Sequence, residues 1–320
     1  MKKRLLPLVI AGFCALFISG CSINRMAMNA VANALTGEGG GEVFTGDADY
    51  QLVGDALPFA IKLYETLLAA NPNHRGLIET TGSLFIMYAN AFVQGPAEML
   101  PVAMHEERLV ALERARSLYL RGMDILLRGL ELRAPGFTDA FNAGDLSGVL
   151  PRMRAQEVPL LYWAAAGGLS AFSINPFDLD LGLRISEFYS MIIRAYELDP
   201  NFNMGALDDF LMIFYGSVPE GMGGDRSRVD LHFQRAIEKS GGVLAGTFVA
   251  YAQVVAIPAQ DYNVFREMLE KALAIDLEDS PSNRLVNVLA QRRARHLMEN
   301  AHTLFIDWDD DWDDDWYDWD

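Results

Sequence analysis

The chain has 320 residues, 51% of them hydrophobic, and a formal charge of −17. That much apolar material over this length supports a sizeable packed core. The acidic balance sets aside nucleic-acid binding and attraction to anionic lipid surfaces, because both would need a basic face.

Lys2, Lys3 and Arg4 form a positive head, and an apolar run from Leu5 to Ile18 follows. A spanning helix needs about 20 apolar residues, so residues 1–20 read as a cleaved secretory segment. Ile18-Ser19-Gly20-Cys21 closes it with small residues before a cysteine, the pattern of a lipobox, with Ile18 where Leu is usual. Cys21 is therefore the expected lipidation site. Ser22, not Asp, follows it, which favours the periplasmic side of the outer membrane. The other cysteine, Cys14, lies in the removed segment, so no internal disulfide is expected.

Residues 21–47 read as the lipidated cysteine and a tether. A short amphipathic patch, Met26 to Leu35, leads into TGEGGGEVFTGD, whose glycines resist packing. No strand precedes the glycines and no Lys-Ser/Thr follows, so phosphate binding is not expected.

The segment 48–306 reads as one all-α domain. Apolar residues recur at helical spacing, as in Leu57, Ile61, Tyr64, Leu67 and Leu68. The spacing predicts further helices over 97–132, 151–166, 178–198, 203–216, 226–240, 244–256, 261–275 and 282–304. Turn signals separate them, among them Asn71-Pro72-Asn73, Gly95-Pro96, Asn175-Pro176 and Gly241-Gly242. No period-2 run offers a strand. Three helices end in related phrases, LYETLLAANPN (63–73), IIRAYELDPN (192–201) and MLEKALAIDLE (268–278), with FQRAIEKSGG (233–242) as a looser copy. Such endings predict a TPR-like superhelix of antiparallel helix pairs, since one pair cannot bury its apolar face alone.

The tail, 307–320, holds nine Asp and four Trp. Trp308, Trp312, Trp316 and Trp319 stand at helical spacing, but like charges between them oppose a helix. A solvated, disordered tail is expected; the alternative is one that folds on docking.

Catalytic patterns are missing, so no enzyme activity, metal or cofactor is expected. His105-Glu106-Glu107 lacks the second His of a metalloprotease helix, and His296 and His302 are six apart. Aromatics on apolar faces, Tyr162, Trp163, Phe210 and Phe214 among them, suit core packing, and some suit the lining of a concave site.

In LLYWAAAGG (160–168), AYELDPNF (195–202), GGDRSRVDLHFQRAIEKSGG (223–242), YAQVVAIPAQDYNVFREML (251–269) and LVNVLAQRRARHLMENAHTLF (285–305) the chain resembles the T components of TRAP transporters, the TatT-like lipoproteins. The likeness runs from about Tyr50 to Asp307. Gly167-Gly168 depart from it, standing where such proteins tend to carry bulkier residues. The resemblance implies a homotrimer around a central opening and partnership with a periplasmic substrate-binding protein, the P component, beside a membrane symporter. It implies no catalytic residues and transfers no ligand residues. Our own candidates for a ligand or partner surface are Tyr162 and Trp163, with Gln291, Arg292 and Arg293 as structural or interface residues. The competing reading is a TPR lipoprotein that scaffolds envelope assembly without touching a solute.

Overall fold

The computed structural model describes residues 42–306. The signal segment, Cys21, most of the tether and the 307–320 tail lie outside the described residues.

All regular elements among the described residues are helical. The longer ones are α1 (Tyr50–Ala70), α2 (Arg75–Tyr88), α3 (His105–Arg133), α4 (Phe137–Ala143), α5 (Val158–Ile174), α6 (Ile185–Leu198), α7 (Ala206–Ser217), α8 (Val229–Ser240), α9 (Ala245–Tyr251), α10 (Tyr262–Leu273) and α11 (Arg284–Glu299). Neighbours in sequence pack as neighbours in space: α1 on α2, α2 on α3, α3 on α5, α5 on α6, α7 on α8, and α9 on α10 and α11. The repeated phrases close α1, α6, α8 and α10, each at a helix end.

Local chemistry explains the boundaries. Asp49 caps α1 by accepting from the Leu52 N–H at 3.0 Å, and Asp261 caps α10 by accepting from Val264 at 3.0 Å; each such cap contributes about 1 kcal/mol. The apolar stripe of α1, Val53, Leu57, Ile61, Tyr64, Leu67 and Leu68, is buried as its spacing requires. One contiguous apolar core runs from Val53 to Phe305.

Several boundaries differ from expectation. Gly95-Pro96 does not end a helix: α2 runs on through a π-helical turn, Ala89–Gln94, into Gly95–Glu98. The same device recurs where α9 passes through Ala252–Ala256 into Ile257–Ala259, with Pro258 inside. In both turns the bond spans five residues, Gly95 N–H to the Asn90 carbonyl and Ile257 N–H to the Ala252 carbonyl. A proline has no N–H and its ring presses on the carbonyl one turn back; a widened turn moves that carbonyl away, so the helix survives. The single helix expected over 97–132 is instead interrupted. Pro101 denies Leu100 a helical backbone, and α3 starts at His105.

Helix α5 was expected to stop at Ala166, before Gly167-Gly168, yet it continues to Ile174. The glycines serve packing. A Cβ on Gly168 would lie 2.1 Å from Phe188 Cζ, and one on Gly167 would lie 2.8 Å from Ile86 Cδ1. Across the same core, a Cβ on Gly122 would lie 2.7 Å from the Gly82 carbonyl oxygen. Backbones of α2, α3, α5 and α6 therefore approach more closely than Ala would permit.

The last residues of the expected tether also hold structure. Glu42–Thr45 form a helical turn against α11, and Arg284 Nη1 donates to the Gly46 carbonyl at 3.4 Å. Helix α11 also touches α1, so the first and last long helices meet along a seam.

Candidate functional site

The seam contains three sequence candidates. Gln291 is buried and its amide donates to the carbonyls of Ala272 (3.2 Å) and Ile275 (2.8 Å), closing the end of α10. Arg292 lies over the Tyr50 ring at 3.9 Å, a cation–π contact worth about 0.5–1 kcal/mol where half exposed. Arg293 does most to join the ends. Its Nη2 pairs with Glu98 Oε2 at 2.5 Å, and its Nε donates to Gln253 Oε1 at 3.3 Å. The chain of bonds continues: Gln94 Nε2 donates to Glu98 Oε1 at 2.7 Å, and the Tyr119 hydroxyl donates to Gln94 Oε1 at 2.6 Å. Gln94 and Gln253 belong to the two π turns. One arginine thus ties both widened turns together.

The other two candidates sit elsewhere, at the start of α5. Tyr162 and Trp163 are half-buried and in edge contact, ring centroids 5.0 Å apart. Tyr162 also meets Phe202 at 5.4 Å and Phe210 at 6.2 Å. Phe202 is held by a strained turn. Asn203 and Met204 have φ of 44° and 55°, a left-handed backbone that side chains disfavour by about 1–3 kcal/mol, before Gly205 opens α7. Asn283 at the start of α11 donates to Met204 Sδ at 3.4 Å and braces that turn.

Beside these rings stand two adjacent carboxylates that face different surroundings. Asp208 is fully buried and satisfied: it pairs with His232 Nδ1 at 2.8 Å and Lys239 Nζ at 2.6 Å, and accepts from the Tyr196 hydroxyl at 3.3 Å. Burial pushes its pKa up, but the bonds from His232 and Lys239 outweigh that and hold the carboxyl below its usual range. The His232 ring in turn lies tilted against Tyr215, centroids 5.4 Å apart, and the Tyr215 hydroxyl bonds to that of Tyr189 at 2.9 Å.

Asp209 has far less. Thr247 donates to its Oδ2 at 3.1 Å, while Oδ1 is buried with no hydrogen-bond partner among the described residues. Burial first, and then the charge of Asp208, push its pKa up to about 6, against the opposing bond from Thr247. Its charge also reaches Tyr162, whose hydroxyl burial and Asp209 together raise above the usual range.

The structure therefore divides the predicted site residues: Tyr162 and Trp163 join an aromatic cluster with a carboxylate, while Gln291, Arg292 and Arg293 build the seam. Cys21 lies outside the described residues. Asp209, Asp208, Thr247, His232 and Lys239 were not foreseen. The available signal was Asp208-Asp209 inside ALDDFLMIFYGS, two charges in an otherwise apolar helix; acids in a first turn read as ordinary complements to the helix dipole.

The described residues form an all-α array of neighbouring helices, joined by a polar seam and carrying a cluster of aromatic rings at the start of α5. Residues 46–305 match the family of TRAP transporter T-components, and the chain belongs to that family. It is also 37% identical over 307 residues to an uncharacterized protein of Treponema pallidum (strain Nichols), a match covering 91% of this chain and 95% of the relative. Membership supports an accessory role in TRAP transport. No helix among the described residues is long and apolar enough to cross a membrane.

Proposed function

We propose that this chain is the lipid-anchored T component of a TRAP-type solute uptake system. In this reading Cys21 fixes it to the periplasmic side of the outer membrane, and the helix pairs form a TPR-like array that assembles as a homotrimer. The array docks a periplasmic substrate-binding protein, and the aromatic cluster around Tyr162 and Trp163 meets the solute. It works by recognition, without catalysis.

Family membership across 46–305 is the observation that carries the reading. The cluster of half-buried rings around Tyr162 adds to it, because small-molecule sites are lined by apolar and aromatic side chains with few polar groups.

The test is a pull-down from periplasmic extract with the tagged chain, followed by mass spectrometry. Recovery of a TRAP-type substrate-binding protein supports the proposal. Recovery of envelope-assembly or cell-wall proteins alone moves the reading to a scaffold. The anchor is tested separately: Cys21→Ala should move the protein from the membrane to the soluble periplasmic fraction, and continued membrane attachment would refute the lipobox reading.

A further inference from the structure

Nine of the chain's acids stand in its last fourteen residues. Beyond the opening Lys2-Lys3-Arg4, three bases fall within four positions only at Arg292, Arg293 and Arg295, shortly before that acidic run. The three are not equivalent. Arg293 is paired with Glu98, whereas Arg292 rests on the Tyr50 ring and Arg295 is exposed. Among the described residues no carboxylate forms an ion pair with Arg292 or Arg295. Val288, Arg292, Arg295, Glu299 and His302 follow one another at three and four along α11 and its closing 3-10 turn, so they share one stripe. Glu299 is the single acid in that stripe. The stripe leads to the point where the described chain ends, and Gln260 fixes that point. Its amide donates to the Leu304 carbonyl at 3.1 Å, and its side-chain oxygen accepts from the Ile306 N–H at 2.8 Å. Phe305 is buried against Tyr262 and Phe265, while Ile306 is 87% exposed.

Residues 307–320 therefore leave the body from a fixed place, beside two guanidinium groups that lack an acid. Fully extended, fourteen residues span at most about 50 Å. Arg292 lies about 17 Å back from Thr303 at the rise of a helix, so the reach is ample. The chemistry also matches. Carboxylates accept charge-assisted bonds from guanidinium, and Trp is the ring that cations favour most. WDDDWDDDWYDWD (308–320) supplies both along its whole length. Tethering holds them near the stripe at an effective concentration of order millimolar, so contacts that are weak singly suffice together. We propose that residues 307–320 turn back on their own chain and dock along the outward stripe of α11. Aspartates meet Arg292 and Arg295, and tryptophan rings pack on those guanidinium groups and on Tyr50. The docked tail covers the α1–α11 seam from outside, and it needs neither a solute nor a binding protein.

The full chain carrying Trp163→Phe reports on the tail alone, because its remaining tryptophans are Trp308, Trp312, Trp316 and Trp319. Acrylamide is neutral and quenches exposed indoles whatever the charge around them. At low salt its quenching constant should be at least about twofold lower than in 1 M salt, where charges are screened beyond about 3 Å. Adding Arg292→Gln and Arg295→Gln should raise the low-salt constant to the high-salt value, with circular dichroism unchanged. Arg295→Gln alone, at an exposed residue with no ion pair, keeps the test open if the double variant misfolds, and should give part of the rise. Arg128→Gln, at an exposed arginine on α3, should give none. Equal quenching in every folded variant, or the same rise with Arg128→Gln, overturns the proposal. Shielding that fades on dilution by about a hundredfold would place the tail on a second copy and overturn it as well.

Discussion

Asp208 and Asp209 are consecutive residues of α7, yet the two faces of that helix treat the same side chain in opposite ways. On one face a carboxylate is fully buried and meets a lysine, a histidine and a tyrosine hydroxyl. On the other it accepts from one threonine, and its second oxygen is buried without a hydrogen-bond partner among the described residues. Position along a helix alone therefore says little about a buried charge; the partners delivered by α6, α8 and α9 decide whether it stabilises. The first face belongs to the scaffold. The second tolerates a destabilising group.

Removing the satisfied acid should have the largest effect. Asp208→Ala leaves Lys239 and His232 without their shared acceptor and should destabilise by about 3–5 kcal/mol in urea unfolding, the range for breaking a buried pair. A loss under 1 kcal/mol would erase the contrast between the faces. Next, Gly168→Val forces a branched side chain against Phe188 and should lose about 1–3 kcal/mol or more, separating a purely steric defect from an electrostatic one in the same assay.

Asp209→Asn should go the other way, raising stability at pH 7.5 by about 1–3 kcal/mol because the uncompensated charge is gone. The pH dependence follows from the sign of the shift. Asp209 binds its proton more tightly folded, with a pKa of about 6, than at its ordinary value of 3.8. Wild-type stability therefore falls as pH rises through that interval, and the mutant's advantage should shrink below pH 6 and vanish near the ordinary value. Asp208 has the reverse sign: its contribution is present above the ordinary carboxylate value and is lost as pH falls through its depressed folded value. Melting temperatures measured across acid pH on both variants would separate the two limbs; a constant Asp209→Asn gap would refute the assignment. The smallest effect is expected from Arg293→Met, about 1 kcal/mol, since its pair with Glu98 is partly solvated.

Much of this architecture was legible beforehand. The all-α class followed from spacing, and the repeated phrases marked true helix ends. Misreadings arose where a breaker residue has a second use. Pro96 and Pro258 sit in widened turns that keep the helix going, and Gly167-Gly168 admit close-packed neighbours instead of ending α5. The site was legible only as far as its rings. Tyr162 and Trp163 could be picked as amphipathic aromatics, but the role of Asp209 depends on what α9 fails to supply, and pattern along one helix does not show that. Gln291 and Arg293 could be picked as structural or interface residues, while the partners they meet within the chain, Ile275, Gln253 and Glu98, depend on tertiary structure.

The seam has a consequence for how such a chain can change. An open solenoid gains or loses a repeat freely, because each unit answers only to its neighbours. Here Arg292 must reach Tyr50 and Arg293 must reach Glu98, more than half the chain away. An extra helix pair inserted in the middle would pull those partners apart, and a deleted one would drive them past each other. The number of helices is thus set by a fit between the two ends, and variation is channelled into side chains and loops.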